Sequence, residues 1–509
     1  MTTNVLQFLE QSASRFPDKA AAAEGAETIS YAQLLQRSKA AGTALSSHIH
    51  PRRPTGVFME KGIDALTAFL GIVYAGGCYS MLPPELPDRR LAQIQSVLSA
   101  EVIVTTQVLL QKAHALFPKA RILTIESLYG AQIDEAILQA VRRRMIDTDP
   151  LYINFTSGST GTPKGIAVAH RSVIDFIPCF TELFHITEQD RIANQAPFDF
   201  DVSVKDIYSA LAVGATLVIV PRILFSVPVR LLDYLCLTEV TTMIWAVSAL
   251  CLITAFHGLD YRTPRSVDKI LFSGEVMPQK ALRDWRNHLP DAAFVNLYGP
   301  TEITCNCTYH VLQKDRDYSE GIPIGTPFPN EDVFLLNDND EPINAPGETG
   351  RIMVRGTALA LGYYRAPEKT AAGFIQNPLN GAYPEAVYET GDLGAYNERG
   401  ELLYRGRRDN QIKYMGHRVE LEEIERAMDA VEGVERSVCV FDRTKSRLKG
   451  YYVGEIEPEA LSAALHQELP LFMVPGYLRR LDAIPLTKNG KADRQKIAGL
   501  AEGSEHESS

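Results

Sequence analysis

The stretch Phe155-Thr156-Ser157-Gly158-Ser159-Thr160-Gly161-Thr162-Pro163-Lys164-Gly165 holds five hydroxyl side chains, three glycines and one lysine. Hydroxyl and backbone N–H groups donate to anionic oxygens, and glycine lets the main chain approach them closely. The pattern therefore predicts a loop that folds around a polyphosphate. The GxxxxGK[ST] spacing of a Walker A loop is absent. Residues 151–155 form a predicted buried strand, which argues against a flexible linker here.

Further motifs extend from this loop towards both ends of the chain. They lie at residues 29–35 (ISYAQLL), 74–78 (YAGGC), 296–302 (NLYGPTE), 347–351 (GETGR), 388–392 (YETGD), 406–413 (GRRDNQIK), 469–475 (LPLFMVP) and 489–494 (NGKADR). Together with the loop they resemble, in order and spacing, the adenylate-forming superfamily. That superfamily includes acyl-CoA synthetases, luciferases and the adenylation domains of nonribosomal peptide synthetases. The resemblance covers roughly residues 5–498.

Composition limits the partners of the chain. Its 51 basic and 62 acidic residues give a net charge of −11, which indicates no nucleic-acid partner and no anionic membrane surface. The N-terminus lacks the pattern of a signal peptide, and no apolar run reaches the roughly 18–20 residues that span a bilayer. Seven scattered cysteines favour a reducing, cytoplasmic location.

The spacing of apolar runs predicts an α/β fold. Strand-like runs at 55–59, 102–105, 215–220 and 269–272 alternate with helical segments such as 63–75 and 281–287, which is typical of largely parallel, doubly wound sheets. Short strands among turn residues from 330 to 405 predict a small antiparallel barrel or sheet.

The predicted domain organisation has three parts. A large N-terminal adenylation core, with two α/β subdomains and the β-barrel, spans residues 1–407. A small, mobile α+β domain spans 408–500, and a disordered polar tail spans 501–509. The length of 509 residues allows roughly three compact units.

The resemblance implies that ATP and Mg²⁺ are used to convert a carboxylic acid to an acyl-adenylate. In such a reaction the protein positions the reactants and neutralises developing charge. The implied phosphate-binding residues are Thr156, Ser157, Gly158, Ser159, Thr160, Gly161 and Lys164. Thr301 is assigned to the α-phosphate and Glu302 to Mg²⁺, which prefers hard carboxylate oxygens.

The same resemblance assigns the adenosine side and the mobile elements. Tyr298, Gly274 and Glu275 would border adenine, and Asn296 would also belong to the ATP site. Asp392 would bind the ribose hydroxyls, and Arg407 would contact ribose or phosphate. Lys491 would bridge the substrate carboxylate and the α-phosphate, a role that suits a flexible point charge. Asp409 matches the position of a hinge between domains.

The segment 197–208 resembles the family motif that begins the substrate pocket. Alignment places Asp201 where amino-acid-activating members hold the substrate amine; the alternative is an N-cap for the next helix. Trp245 would restrict the pocket to small or flat groups, and Lys205 could pair with a substrate carboxylate or phenol, or face solvent. The implied pocket residues are Asp201, Val202, Lys205, Trp245, Leu271, Ser273, Leu297, Cys305 and Asn306.

The substrate remains open between two classes. Segments 200–208 and 271–278 most resemble D-alanine–carrier protein ligases, but Lys205, Trp245 and Asn306 depart from that family. A small amino acid therefore competes with an anthranilate-type aryl amino acid. We expect a free-standing enzyme that passes its product to the phosphopantetheine thiol of a separate carrier protein. An excised synthetase fragment, an acyl- or aryl-CoA ligase and a catalytically silent homologue are the alternatives.

Overall fold

The computed structural model describes residues 2–158, 162–319, 321–442, 445–486, 492–494 and 496–497. Its α-helices are α1 (Leu6–Arg15), α2 (Tyr31–Leu45), α3 (Ile63–Tyr74), α4 (Asp88–Leu98), α5 (Leu110–Leu116), α6 (Ile125–Tyr129), α7 (Glu135–Arg142), α8 (His170–Leu183), α9 (Val202–Val213), α10 (Pro228–Leu237), α11 (Val247–Ala255), α12 (Gly258–Tyr261), α13 (Gln279–His288), α14 (Pro367–Gly373), α15 (Leu421–Asp429) and α16 (Pro458–Glu468).

The strands are most numerous before residue 410. They are β1 (Ala20–Glu24), β2 (Glu27–Ser30), β3 (Pro54–Phe58), β4 (Cys78–Met81), β5 (Val102–Thr105), β6 (Arg121–Thr124), β7 (Pro150–Thr156), β8 (Lys164–Ala169), β9 (Arg191–Asn194), β10 (Thr216–Ile219), β11 (Thr242–Ala246), β12 (Lys269–Ser273), β13 (Ala293–Tyr298), β14 (Thr308–Val311), β15 (Thr326–Pro327), β16 (Glu331–Leu336), β17 (Pro342–Ile343), β18 (Thr349–Gly356), β19 (Gly362–Tyr363), β20 (Phe374–Gln376), β21 (Ala386–Tyr396), β22 (Leu402–Arg407), β23 (Gln411–Tyr414), β24 (His417–Glu420), β25 (Val434–Asp442), β26 (Arg447–Gly454) and β27 (Tyr477–Arg480).

The chain divides into two compact units. Unit 1 comprises Met1–Pro83, Leu98–Asn154 and Gly165–Arg408, and unit 2 comprises Pro84–Val97, Phe155–Lys164 and Asp409–Ser509. The division between Arg408 and Asp409 lies next to the domain boundary that the sequence predicts between residues 407 and 408. Unit 2 also contains residues 84–97 and 155–164, which the sequence assigns to the N-terminal core.

Two large sheets form the framework of unit 1. One has nine strands in the order β15-β14-β13-β12-β11-β9-β10-β1-β2, and the other has seven in the order β19-β8-β7-β4-β3-β5-β6. In the nine-stranded sheet, the neighbouring strands in the series β13-β12-β11-β9-β10-β1 are parallel. In the seven-stranded sheet, those in the series β7-β4-β3-β5-β6 are parallel. Helices connect them, as parallel pairing requires. The predicted α/β class is confirmed.

A smaller antiparallel sheet lies near the end of unit 1. Its order is β17-β16-β18-β21-β20, with β22 also paired to β21. The end strands β17 and β20 do not pair with each other among the described residues. The sequence predicts a small antiparallel barrel or sheet here, and the structure has the sheet.

Local sequence accounts for the start of several helices. Ser30 caps α2: its hydroxyl accepts from the backbone of Gln33, whose side chain accepts from the backbone of Ser30. This reciprocal capping box supplies acceptors for two N–H groups that a helix start leaves unpaired. In α3 nearly every residue is buried, so that this helix lies inside the core of unit 1. None of the helices described is long and apolar enough to cross a membrane.

Unit 2 is a small α+β assembly with its own core. Strands β25, β26 and β27 form one sheet and β23 pairs with β24. The core side chains come from both sheets and from α15 and α16, and they include Val419, Ile424, Met428, Tyr452, Leu461 and Leu465.

A buried ion pair ties α4 to α15 within unit 2. The Arg90 guanidinium donates to the Glu423 carboxylate at 2.6 Å, and both side chains are buried. Burial raises the pKa of Glu423, and Arg90 lowers it. We expect Arg90→Ala to lower the free energy of unfolding by about 3–5 kcal/mol, because it leaves a buried carboxylate without its cation.

The neighbouring arginine is a matched control for this prediction. Arg89 pairs with Glu468 but its side chain is 63% exposed, so Arg89→Ala should cost no more than about 1 kcal/mol. Chemical denaturation followed by circular dichroism measures both variants. Equal losses in the two variants would contradict a special role for the buried pair.

Candidate active site

The described part of the phosphate loop follows the carboxyl end of β7. The Ser157 hydroxyl donates to the carbonyl of Arg418 at 2.6 Å, and the Gly158 N–H donates to Glu423 at 3.3 Å. The Lys164 ammonium lies 3.8 Å from a carboxylate oxygen of Glu420. Each donor thus faces the kind of oxygen acceptor that a phosphate also supplies.

Two further features suit this loop to an anion. The Thr156 hydroxyl is buried and has no hydrogen-bond partner in the described residues. A Cβ at Gly158 would lie 2.1 Å from the carbonyl oxygen of Thr162, so this position requires glycine. Ser159, Thr160 and Gly161, which belong to the same prediction, lie outside the described residues.

Three of the residues assigned to adenosine meet in unit 1. Tyr298 ends β13, and its hydroxyl donates to Oδ2 of Asp392 at 2.6 Å. Arg407 on β22 lies opposite Asp392 on β21 and donates to Oδ1 at 2.6 Å. Burial raises the pKa of Tyr298 well above its ordinary value, and Asp392 raises it further. A carboxylate has about four acceptor sites, so Asp392 retains capacity for two ribose hydroxyls.

The sequence Gly-Pro-Thr-Glu forms a tight turn after β13. Thr301 begins a short 3₁₀ helix, and Glu302 within it is fully buried. The hydroxyl of Tyr363 donates to Oε1 of Glu302 at 2.7 Å. A Cβ on Gly299 would lie 2.5 Å from Cα of Asn306, so the turn can close only with glycine at that position.

The remaining residues assigned to the ATP site follow or lie on β12 and β13. Gly274 has a φ of +97°, which places it in the region that glycine adopts readily, and Glu275 comes next in the chain. Asn296 on β13 donates its side-chain amide to the carbonyl of Pro323 at 2.9 Å. Its position thus depends on a loop near the end of the nine-stranded sheet.

Helix α9 brings two of the predicted pocket residues together. Asp201 and Lys205 stand one turn apart at the start of the helix, with Val202 half-buried between them. The Asp201 side chain makes no capping hydrogen bond and its backbone is already helical. The N-cap alternative is therefore not the role of this carboxylate.

A turn with unusual backbone angles packs against this helix. Thr304 and Cys305 have φ values of +50° and +79°, a region that residues other than glycine rarely adopt. The Cys305 thiol donates to the carbonyl of Asp201 at 3.0 Å, and the Lys205 ammonium donates to Oδ1 of Asn306. Strain of this kind concentrates at functional sites.

Three of the predicted pocket residues lie on one face of the nine-stranded sheet. Leu271 pairs with Val295 on the next strand, and Leu271 and Leu297 pack in the same apolar cluster as Cys305. Ser273 lies two residues beyond Leu271, so it shares that face of the sheet.

The predicted place of Trp245 in the substrate pocket requires a correction. Trp245 pairs with Phe272, and both pack in a second apolar cluster on the opposite face of the strands. Its indole N–H donates to the carbonyl of Ala193 at 2.9 Å, and the side chain is fully buried. Because successive strand residues point to opposite faces, Trp245 does not line the pocket with Leu271 and cannot restrict the substrate to small or flat groups.

Residues 9–364 match the protein-family model described as AMP-binding enzyme. The chain belongs to this family. Bacitracin synthase 1 of Bacillus licheniformis is 32% identical over 499 residues, which cover 96% of this chain and 9% of that protein. Tyrocidine synthase 1 of Brevibacillus parabrevis is 29% identical over 500 residues, covering 97% of this chain and 45% of that protein. The chain thus spans less than half the length of these relatives.

Solved structures show the same architecture. IdnL1 aligns with a TM-score of 0.80 at 28% identity, covering 95% of this chain and 98% of IdnL1. PA1221, an NRPS protein containing adenylation and PCP domains, aligns with a TM-score of 0.82 at 25% identity and covers 97% of this chain and 84% of that protein. This AMP-binding enzyme is an adenylate-forming ligase with the fold of NRPS adenylation domains, and enzymes of its family use ATP.

The carboxylate of Glu302 fits the magnesium ion that accompanies ATP. Among the described residues, no group of three His, Cys, Asp or Glu side chains could hold a metal ion by itself. Magnesium is commonly bound by one or two carboxylates together with substrate phosphates and water. A single buried carboxylate held by Tyr363 suits that arrangement.

Two tyrosines near the site were missed by the sequence analysis. Tyr363 supports Glu302, and nothing in its local sequence marks it. Tyr152 on β7 is fully buried, and its hydroxyl has no hydrogen-bond partner in the described residues. Its position three residues before the phosphate loop, within a strand otherwise rich in apolar residues, is the signal that could have identified it.

Proposed function

We propose that this enzyme activates an amino-bearing carboxylic acid with ATP and Mg²⁺, and transfers the acyl group to the phosphopantetheine thiol of a separate carrier protein. The pathway would be nonribosomal peptide synthesis or a related one. The observation that supports the amine is the buried Asp201 side chain, which makes no helix-capping hydrogen bond. The backbone carbonyl of the same residue accepts from the Cys305 thiol of the strained turn. A substrate ammonium would compensate the buried charge of the Asp201 carboxylate.

The described residues support distinct parts of the proposed reaction. Asp392, held by Tyr298 and Arg407, would orient the ribose through its remaining acceptor sites. Thr301 and Lys164 would hold phosphate oxygens while the substrate carboxylate attacks the α-phosphorus and pyrophosphate leaves. Glu302 would hold Mg²⁺, which supplies neutralisation of phosphate charge. At the proposed hinge, the Asp409 carboxylate accepts from the backbone N–H of Gln411 at 3.2 Å.

ATP–pyrophosphate exchange over a panel of amino and aryl acids tests adenylation.

Lys491 lies outside the described residues and keeps its proposed role as the cation between the substrate carboxylate and the α-phosphate. We expect Lys491→Ala to slow exchange by about 10²–10³-fold, because it removes an electrostatic stabiliser of the transition state. Lys496 is an exposed lysine close by in the sequence, and Lys496→Ala should leave the rate unchanged.

An acyl- or aryl-CoA ligase is the second candidate, because such enzymes share most of these motifs. Thioester formation with coenzyme A and with phosphopantetheinylated carrier proteins distinguishes the two. A preference for coenzyme A, together with activation of acids that lack an amine, would contradict the proposed function. No exchange with any acid would favour the catalytically silent homologue.

A further inference from the structure

A cavity of about 270 Å³ in unit 1 is lined by an excess of basic side chains. It lies at the amino ends of β3 and β5, two neighbouring parallel strands, and the residues that follow β19 complete its wall. All of its lining residues belong to unit 1. None of them is among the residues assigned to ATP, Mg²⁺ or the substrate, so the cavity is not part of the candidate active site.

The charges in the cavity oppose the net charge of the chain, which is −11. Its lining has two guanidinium groups, those of Arg53 and Arg365, and a single carboxylate, that of Glu101. Oε2 of Glu101 lies 3.9 Å from Nε2 of His50. Neither arginine forms an ion pair with any residue that the structure describes. The guanidinium groups can therefore bind an anion from solution.

Arg365 is held at the cavity by an unusual backbone conformation. Its φ is +55°, and that of Ser99, whose hydroxyl accepts from the Arg365 guanidinium, is +49°. Residues other than glycine rarely adopt this region, and strain of this kind concentrates at functional sites. The hydrogen bond to Ser99 uses one of the five N–H donors of a guanidinium. The other donors of Arg365 have no hydrogen-bond partner in the described part of the chain.

The remaining lining combines a hydrogen-bond donor with apolar surface. Burial lowers the pKa of His48, and Arg121 lowers it further, so that its imidazole is neutral near pH 7 and can donate through one ring nitrogen. Ile49 and Val102 are buried side chains of the wall. A ligand with an anionic head and a short hydrocarbon part would thus find a partner for each.

We infer that this cavity binds a phosphate group, carried by a small phosphomonoester or present as free phosphate. The planar guanidinium fork matches phosphate oxygens bidentately, and a phosphate has enough oxygens for two arginines and a histidine at once. A carboxylate has only two. The volume lies just below the roughly 300–1,000 Å³ of typical ligand pockets, so the ligand must be small. Binding here is independent of the proposed function, because the cavity shares no residue with the site of adenylation.

Protection of His50 from chemical modification, measured on the full chain, tests phosphate binding. Diethyl pyrocarbonate acylates accessible histidine nitrogens, and peptide mass spectrometry gives the rate at each histidine. The probes are glycerol 3-phosphate and inorganic phosphate at constant ionic strength. A ligand at about ten times its Kd leaves only about a tenth of the sites free, so modification of His50 should slow about tenfold.

His257 is the control for this measurement. Its side chain is 77% exposed, against 75% for His50, and it likewise lies near a carboxylate, that of Asp260 at 3.6 Å. Because His257 does not line the cavity, its rate of modification should not change with either probe.

Variants of the lining residues should shift the Kd in opposite directions. Arg53→Ala and Arg365→Ala should each raise it about tenfold, because each removes charge-assisted hydrogen bonds. Glu101→Gln should lower it about two- to tenfold, because it removes a negative charge near the ligand. Arg230→Ala on α10, an exposed arginine outside this lining, should leave it unchanged. All four side chains are exposed, so the melting temperatures should stay close to that of wild type.

The two probes distinguish the sources of the phosphate group. Tighter binding of glycerol 3-phosphate would support a phosphomonoester, and equal or tighter binding of inorganic phosphate would support free phosphate. The inference would be overturned if neither probe protected His50, if His257 were protected equally, or if malonate protected His50 as well as phosphate does. Unchanged Kd values in both arginine variants would also overturn it. None of these results bears on adenylation, which exchange assays measure separately.

Discussion

Asp201→Ala should raise KM for amino-bearing acids several hundred-fold or more. The Asp201 side chain is buried at the start of α9, one turn from Lys205, and the backbone carbonyl of Asp201 accepts from the Cys305 thiol. Removing one partner of a buried charged pair costs roughly 3–5 kcal/mol, because the other charge stays desolvated without compensation. In this variant the stranded charge would be the substrate ammonium. ATP–pyrophosphate exchange at varied substrate concentration measures the effect.

Acids without an amine supply the control. Benzoate or a short fatty acid brings no ammonium into the site, so Asp201→Ala should change its KM far less. Asp201→Asn keeps the size of the side chain. Its substrate selectivity should resemble that of Asp201→Ala, because the loss of the negative charge decides the effect. If the wild-type enzyme activated benzoate as well as any amino acid, and Asp201→Ala left that ranking unchanged, Asp201 would not bind an amine.

Much of the fold follows from local sequence. The apolar run at 102–105 coincides with β5 (Val102–Thr105), and the run at 215–220 surrounds β10 (Thr216–Ile219). Buried parallel strands read as continuous apolar segments, so that their positions can be recognised without tertiary information. The predicted helix at 63–75 likewise matches α3 (Ile63–Tyr74).

The way in which distant segments combine could not be predicted in this manner. Arg90 and Glu423 are 333 positions apart in sequence, and nothing local to either residue indicates the other. The assignment of residues 84–97 and 155–164 to unit 2 depends on such long-range contacts. The support of Glu302 by Tyr363, across 61 positions, has the same character.

Trp245 shows a different limit of sequence comparison. Alignment places a residue on a strand, but the face it points to depends on register, and a shift of one position reverses it. Pairing with Phe272 directs Trp245 away from Leu271. The motifs after Ser273 and Tyr298 follow the ends of β12 and β13. Ligands of α/β proteins bind beyond the carboxyl ends of parallel strands, and the ATP-binding role of these motifs stays a prediction.

Glu302→Gln should slow adenylation by about 10²–10³-fold and raise the Mg²⁺ concentration needed for activity. The residue is fully buried and accepts from Tyr363 at 2.7 Å. Glutamine has nearly the same size, and its carbonyl oxygen can still accept from Tyr363, so that packing is retained. What is lost is the negative charge that a hard cation requires. Exchange rates titrated with Mg²⁺ measure this loss.

Tyr363→Phe is the matched control, because it removes the hydrogen bond and keeps the carboxylate charge. Partners that orient a metal ligand typically contribute about 10–100-fold to metal affinity or activity, so this variant should fall between wild type and Glu302→Gln at limiting Mg²⁺. Saturating Mg²⁺ should restore Tyr363→Phe further than Glu302→Gln, since only the first retains the ligand. An unchanged Mg²⁺ dependence in Glu302→Gln, with a normal melting temperature, would exclude Glu302 as the residue that holds the ion.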